Sequence, residues 1–174
     1  MVKLAATYEP IATTTVSGSS TTEVQFASIS GSYTDLILVA NVGSTTAGVY
    51  FGVRLNSDTG SNYSVTELYG NGSSASSTRN ANRTIADIAF DVYVSTAVDS
   101  NYIAHFQNYS NSTTYKTILS RANNAGNGVS ANVILWRNSA AITNIKCYVH
   151  QLGGANQYIF TSGSTITLYG IKAA

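Results

Sequence analysis

Apolar and polar residues alternate with a period of two along most of this chain. Val49, Phe51, Val53 and Leu55 fall in one phase, and Tyr50, Gly52 and Arg54 in the other. Ile88, Phe90, Val92 and Val94 alternate in the same way with Ala89, Asp91 and Tyr93. Val129, Ala131, Val133 and Leu135 alternate with Ser130, Asn132 and Ile134, and Ile145, Cys147 and Val149 with Lys146, Tyr148 and His150. Successive side chains of a strand point to opposite faces, so each pattern predicts an antiparallel strand. The first-named set is expected on the core and the second towards water or a partner. Asp35–Val42 differs, because Leu36, Ile37, Leu38 and Val39 are consecutive. That run predicts a central strand covered on both faces.

Further strands are expected over residues 11–16, 23–29, 63–69, 102–109, 115–121 and 165–172. Clusters of Gly, Asn, Ser and Asp at 17–21, 43–48, 56–62, 70–82, 108–114, 123–128, 138–141 and 153–156 predict the turns between them. No segment carries an apolar stripe at helical spacing. Strands recurring at about 10–15 residues predict an all-β fold, an antiparallel β-sandwich with jelly-roll-like connections and about eight to ten strands. We expect one domain over residues 1–174, with residues 1–10, up to Pro10, as an extended N-terminal arm.

Composition narrows the function classes. Only 10% of the 174 residues are charged, and the net charge is +1. Nucleic-acid binding needs clustered Lys and Arg, so no nucleic-acid partner is expected. Ser, Thr and Asn make up roughly a third of the chain, far above ordinary usage. With 44% hydrophobic residues and 12 tyrosines, the chain still has the means to build a core. The longest aliphatic run, Leu36 to Ala40, is far too short for a membrane span, so no membrane partner is expected. Residues 1–6 hold no apolar stretch of the kind a secretory signal requires.

Chemistry is sparse. Asp58-Thr59-Gly60 matches the aspartic-protease triplet, but Asn56, Ser57, Ser61 and Asn62 flank it, which predicts a polar turn instead. Cys147 and His150 are three apart, hence on opposite faces of one strand, and Cys147 reads as a small core residue. His105 has no serine elbow to serve. The eight acidic residues are scattered, with only Asp87 and Asp91 close together, so no metal, cofactor or catalytic group is expected. Five Asn-x-Ser/Thr matches, at Asn62, Asn71, Asn82, Asn108 and Asn111, are about what this composition produces by chance. The tyrosines stand out, because an apolar ring with a polar tip suits protein interfaces and sugar stacking alike. Tyr50, Tyr93, Trp136 and Tyr148 are the expected interface residues.

Several segments carry a resemblance. They are Ser32-Tyr33-Thr34-Asp35-Leu36-Ile37-Leu38-Val39, Arg54-Leu55-Asn56-Ser57-Asp58-Thr59-Gly60-Ser61-Asn62-Tyr63 and Gly70-Asn71-Gly72-Ser73. Asn108-Tyr109-Ser110-Asn111, Lys116-Thr117-Ile118-Leu119-Ser120-Arg121, Leu135-Trp136-Arg137 and Leu168-Tyr169-Gly170-Ile171-Lys172 extend it. From about residue 30 onward the chain resembles small virion proteins of tailed bacteriophages, especially those infecting cyanobacteria and other marine bacteria. The resemblance implies a jelly-roll-like structural component and not an enzyme, and it carries over no functional residues. It implies an outer-capsid decoration or cement protein or, alternatively, a tail-fibre module that recognises host surface polysaccharide. The expected partners are the major capsid protein and other virion proteins, copies of the chain itself in a homotrimer, or a host glycan. The expected location is the virion, assembled in the host cytoplasm.

Overall fold

The computed structural model describes residues 7–152, 154 and 156–172. Among them are thirteen strands and no helix. These are β1 (Tyr8–Thr15), β2 (Glu23–Phe26), β3 (Asp35–Val42), β4 (Tyr50–Leu55), β5 (Tyr63–Gly70), β6 (Ala75–Arg83) and β7 (Ala86–Asp87). They continue with β8 (Ser100–Phe106), β9 (Lys116–Asn124), β10 (Gly128–Trp136), β11 (Ile145–His150), β12 (Gln157–Tyr158) and β13 (Thr165–Ile171). An eight-stranded sheet runs β1-β13-β3-β8-β9-β10-β5-β6, and a smaller one runs β12-β11-β4-β7, with β2 also on β11. All pairings are antiparallel. The chain crosses repeatedly between the two sheets, and β8, β9 and β10 form a meander. The expected β-sandwich is present.

Its core lies between the sheets. Leu36, Leu38, Ala40 and Val42 of β3 face Phe51, Val53 and Leu55 of β4 and Ile145, Cys147 and Val149 of β11, as their phases predict. The Phe51 and Tyr102 rings meet at 4.9 Å. Gly52 has no Cβ because the His150 imidazole and the Ala86 carbonyl occupy that space.

Five expectations differ from the structure, the last being the phase of β10. Residues 8–10 are no arm: they begin β1 at the sheet edge, opposite Ile171, Gly170 and Tyr169, while residues 1–6 lie outside the described residues. Pro10 fits there because an edge strand tolerates a missing donor. Residues 75–83, expected within a turn, form β6; paired only with β5 and mostly exposed, this edge strand needs no apolar phase. Strand β3 is covered on both faces at Leu36, Ile37 and Leu38, as expected, but Val39 is exposed on the outer face.

The fourth correction matters most. Residues 88–94 do not form a strand; they run as a loop between β7 and β8, joined to the small sheet at their two ends, where Ile88 and Val94 donate their N–H groups to the Phe51 and Val49 carbonyls at 3.0 and 2.8 Å. Ile88, Ala89, Val92 and Val94 are nonetheless buried. A buried backbone must have its polar groups answered, and inward side chains of the large sheet answer these. Ser120 Oγ and Asn132 Nδ2 donate to the Ile88 carbonyl at 2.6 and 3.1 Å. The Phe90 N–H donates to Glu67 Oε1 at 3.2 Å. Tyr93 donates its N–H to Asn127 Oδ1 and accepts from Asn124 Nδ2, both at 2.8 Å.

Serving that loop reverses the polarity of the strands beneath it. On β10 the buried phase is Ser130, Asn132, Ile134 and Trp136, and the phase expected on the core, Val129, Ala131, Val133 and Leu135, faces outward. Two neighbouring substitutions expose the reversal. Asn132→Val deletes a donor to a buried carbonyl and should lower unfolding free energy by about 1–3 kcal/mol. Val133→Ser, one position on, should change that of the dilute, unassociated chain by no more than about 0.5 kcal/mol. Urea denaturation checks both, and a costly Val133→Ser beside a harmless Asn132→Val would contradict the assignment.

Candidate interaction surface and buried polar clusters

With the polarity of β10 reversed, the outer face of the large sheet becomes apolar at its centre. One row crosses it as Tyr169, Ile37, His105, Leu119 and Val133, each opposite the next in register. The adjacent row runs Thr167, Val39, Ile103, Arg121, Ala131 and Leu68. Leu68 is 63% exposed, Val129 58%, Val133 50%, Leu119 39% and Val39 37%. Tyr8 is exposed at the edge of the same face, and Tyr115 just before β9. Of the large apolar side chains exposed among the described residues, only Tyr93 and Leu152 lie elsewhere. Scattered exposed apolar residues are ordinary, but a contiguous patch marks a contact site. Charge on this face is limited to Arg121, Arg79 and Asp35, whose Oδ2 lies 2.8 Å from His105 Nε2.

The four tyrosine and tryptophan positions expected at an interface are mostly enclosed by their own chain. Trp136 is 0% exposed, stacks on Tyr63 with centroids 6.2 Å apart, and donates Nε1–H to Asp58 Oδ2 at 2.7 Å. Tyr148 lies under the Arg54 guanidinium, 5.2 Å from its ring centroid, and donates to Glu23 Oε2 at 2.5 Å. Burial, then the bond to the Glu23 carboxylate, raises its phenol to about 12. Tyr50 packs against Tyr93 and Phe90 and is buried, and Tyr93 alone of the four reaches solvent. The exposed aliphatic residues Leu68, Leu119, Val129 and Val133 carry no mark of an outward face in the alternating sequence pattern. A signal for them was present: Trp136, the largest side chain of β10, is in phase with Ser130 and Asn132.

The candidate chemical groups fall into separate, enclosed places. Asp58 closes the expected polar turn, accepting from the Gly60 N–H at 2.8 Å and Asn62 Nδ2 at 2.9 Å. Burial opposes its ionisation, but the bonds from Trp136, Asn62 and Gly60 outweigh it and hold the carboxyl below its ordinary value. Asn71 and Asn111 have the same role at two turns: each Oδ1 accepts the N–H groups two and three residues on, at 2.7–3.0 Å. Cys147 sits in the core, where burial raises its thiol, and His150 is on the opposite face of β11 as its spacing requires.

His150 is fully buried, with Nδ1 2.8 Å from the Gln151 carbonyl and Nε2 3.3 Å from Asp87 Oδ1. Asp87 Oδ2 takes Arg83 Nε at 2.9 Å. Burial holds the imidazole below its usual value although Asp87 pulls the other way. No nucleophile joins this group, and it braces the β6–β7 turn against β11. Among the described residues no cluster of three or more His, Cys, Asp or Glu could hold a metal, and no helix is long and apolar enough to cross a membrane. No protein-family model, curated protein or solved structure matches this chain.

Glu67 is among the buried polar groups left short of a partner. It is buried, Oε1 accepts from Phe90, and Oε2 has no hydrogen bond; Asn132 Oδ1, on the residue opposite in register, has none either. Burial, and after it the charge of Asp91, raise the carboxyl above its ordinary value of 4.5. A carboxyl raised by folding favours the native state while protonated, and that advantage is lost as pH rises from about 4.5 through the raised value. Glu67→Gln keeps an acceptor for Phe90 and removes the charge. It should therefore be more stable than the natural chain at pH 7, with the gap closing towards pH 4. Thermal melts across that range check it, and a gap independent of pH would refute the shift.

Proposed function

We propose that this chain is a non-enzymatic structural protein of a tailed-phage particle, an outer-capsid decoration or cement protein. The observation that carries this reading is the aliphatic outer face of the large sheet. Leu68, Leu119, Val129, Val133 and Val39 present a flat, branched, charge-poor surface of the kind protein partners cover. A polysaccharide groove would offer aromatic rings and converging polar groups at this place, and a nucleic-acid face would offer Lys and Arg. The resemblance in the turn and strand-end segments supplies the virion context. Few charges together with many hydroxyl and amide side chains suit a permanent contact that salt does not dissolve.

A tail-fibre module recognising host polysaccharide is the second reading. Exposed Tyr93, beside the Asn-rich turn at 123–128, favours it. Copy number separates the two. Quantitative mass spectrometry of purified virions should find hundreds of copies per particle for a shell protein. A copy number of about a dozen, as symmetric tail assemblies have, would transfer the chain to the tail.

A further inference from the structure

We propose that the outer face of the eight-stranded sheet is covered by a second copy of this chain, in a two-fold, face-to-face dimer. The proposal rests on reading that face as a contact surface, and three features of the face favour a copy over an unrelated partner. The first is area. Eight strands at about 4.8 Å spacing, with about eight residues each at ~3.3 Å, span on the order of 1,000 Å². A stable specific interface needs ~800 Å² per partner, so this face alone suffices. The second is charge. Arg121, Arg79 and Asp35, the last already bound to His105, are the charged side chains on this face among the described residues, so stacking two copies desolvates few charges.

The third is self-complementarity in register. A two-fold axis in the contact plane, parallel to the strands between β8 and β9, exchanges β8 with β9, β3 with β10, and β13 with β5. It sets Ile37 of one copy over Val133 of the other, Val39 over Ala131, Asn101 over Asn123, and Tyr169 over Thr66, the pairs following from the strand registers. Val39 meets Ala131 and the flanking asparagines meet each other, while the same axis sets His105 over Leu119, Thr167 over Leu68, and Arg121 over Ile103. The result is two aligned sheets, the commoner sandwich packing, repeated between subunits. A face meeting its own image closes at two, so this contact builds a dimer in place of the homotrimer that the resemblance implies.

The test is sedimentation equilibrium of the full chain up to about 100 µM, with Val133→Glu and Leu152→Glu as paired variants. Both side chains are exposed, so neither change threatens the fold, and far-UV spectra verify that. The natural chain and Leu152→Glu should sediment as dimers, whereas Val133→Glu should weaken association at least ~100-fold, since a buried unpaired carboxylate costs several kcal/mol. Val39→Cys/Ala131→Cys, at two exposed positions, should also cross-link between subunits with a short bismaleimide, while Cys147, buried, stays unlabelled. A monomer at the highest concentration, a trimer, or a dimer indifferent to Val133→Glu would each overturn the proposal. A monomer that nonetheless appears in hundreds of copies per virion would overturn the dimer alone and leave the structural reading standing.

Discussion

A backbone enclosed between two sheets must have its carbonyls and amides answered, and between Ile88 and Val94, whose N–H groups reach the Phe51 and Val49 carbonyls, the chain has no strand partner to answer them. The large sheet has eight strands and the small one far fewer, so β4 and β7 end before the inner face of β5, β9 and β10 is covered. The loop fills that space. It brings Ile88, Val92 and Val94 into the core, and it also brings polar groups that only side chains from below can reach. Ser120, Asn132, Glu67 and Asn124 are buried for this reason. An unmade bond in such a place costs about 1–3 kcal/mol, so each of these residues is tied to the loop's path.

The outward face follows from that commitment. A strand has two phases, and once one phase of β10 serves a buried backbone, the other is free to carry Val129, Ala131, Val133 and Leu135. Among the described residues nothing covers Val129, Ala131 and Val133. In a sheet facing water the outward phase would be polar; here β3, β8, β9 and β5 continue the apolar patch through Val39, Ile103, Leu119 and Leu68. The uncovered face and the buried loop are two results of one mismatch in sheet width. The proposed dimer removes the exposed area by stacking the wide sheet on itself.

Much of the sandwich was legible in the sequence. Strand β3 spans Asp35–Val42 as its apolar run predicts, and the inward phases of β4 and β11 match their alternation. The turn at Asp58 and the core position of Cys147 follow from local chemistry. Period-two alternation says which residues share a face, but it does not say which face is inside. On β10 the apolar phase looked like the core phase, and only Ile134 and Trp136 in the polar phase argued otherwise. Residues 88–94 have strand alternation and bury Ile88, Val92 and Val94, yet between the two end contacts their hydrogen bonds go to side chains, which no periodicity reports. Strand β6 was hidden for the opposite reason: an exposed edge has no apolar phase to read. The tyrosines drew attention by number, but three of the four expected contact residues are closed in by long-range packing that only the fold creates.

The claim that the outer face is a covered contact surface can be measured directly by hydroxyl-radical footprinting of the chain in its assembled state against the dilute isolated chain. Leu68, Leu119, Val129 and Val133 should lose reactivity on assembly, while Tyr93 and Leu152, exposed elsewhere, should keep theirs. Equal oxidation of the four aliphatic residues in both states would mean that the face stays open to water, and the account built on it would fail.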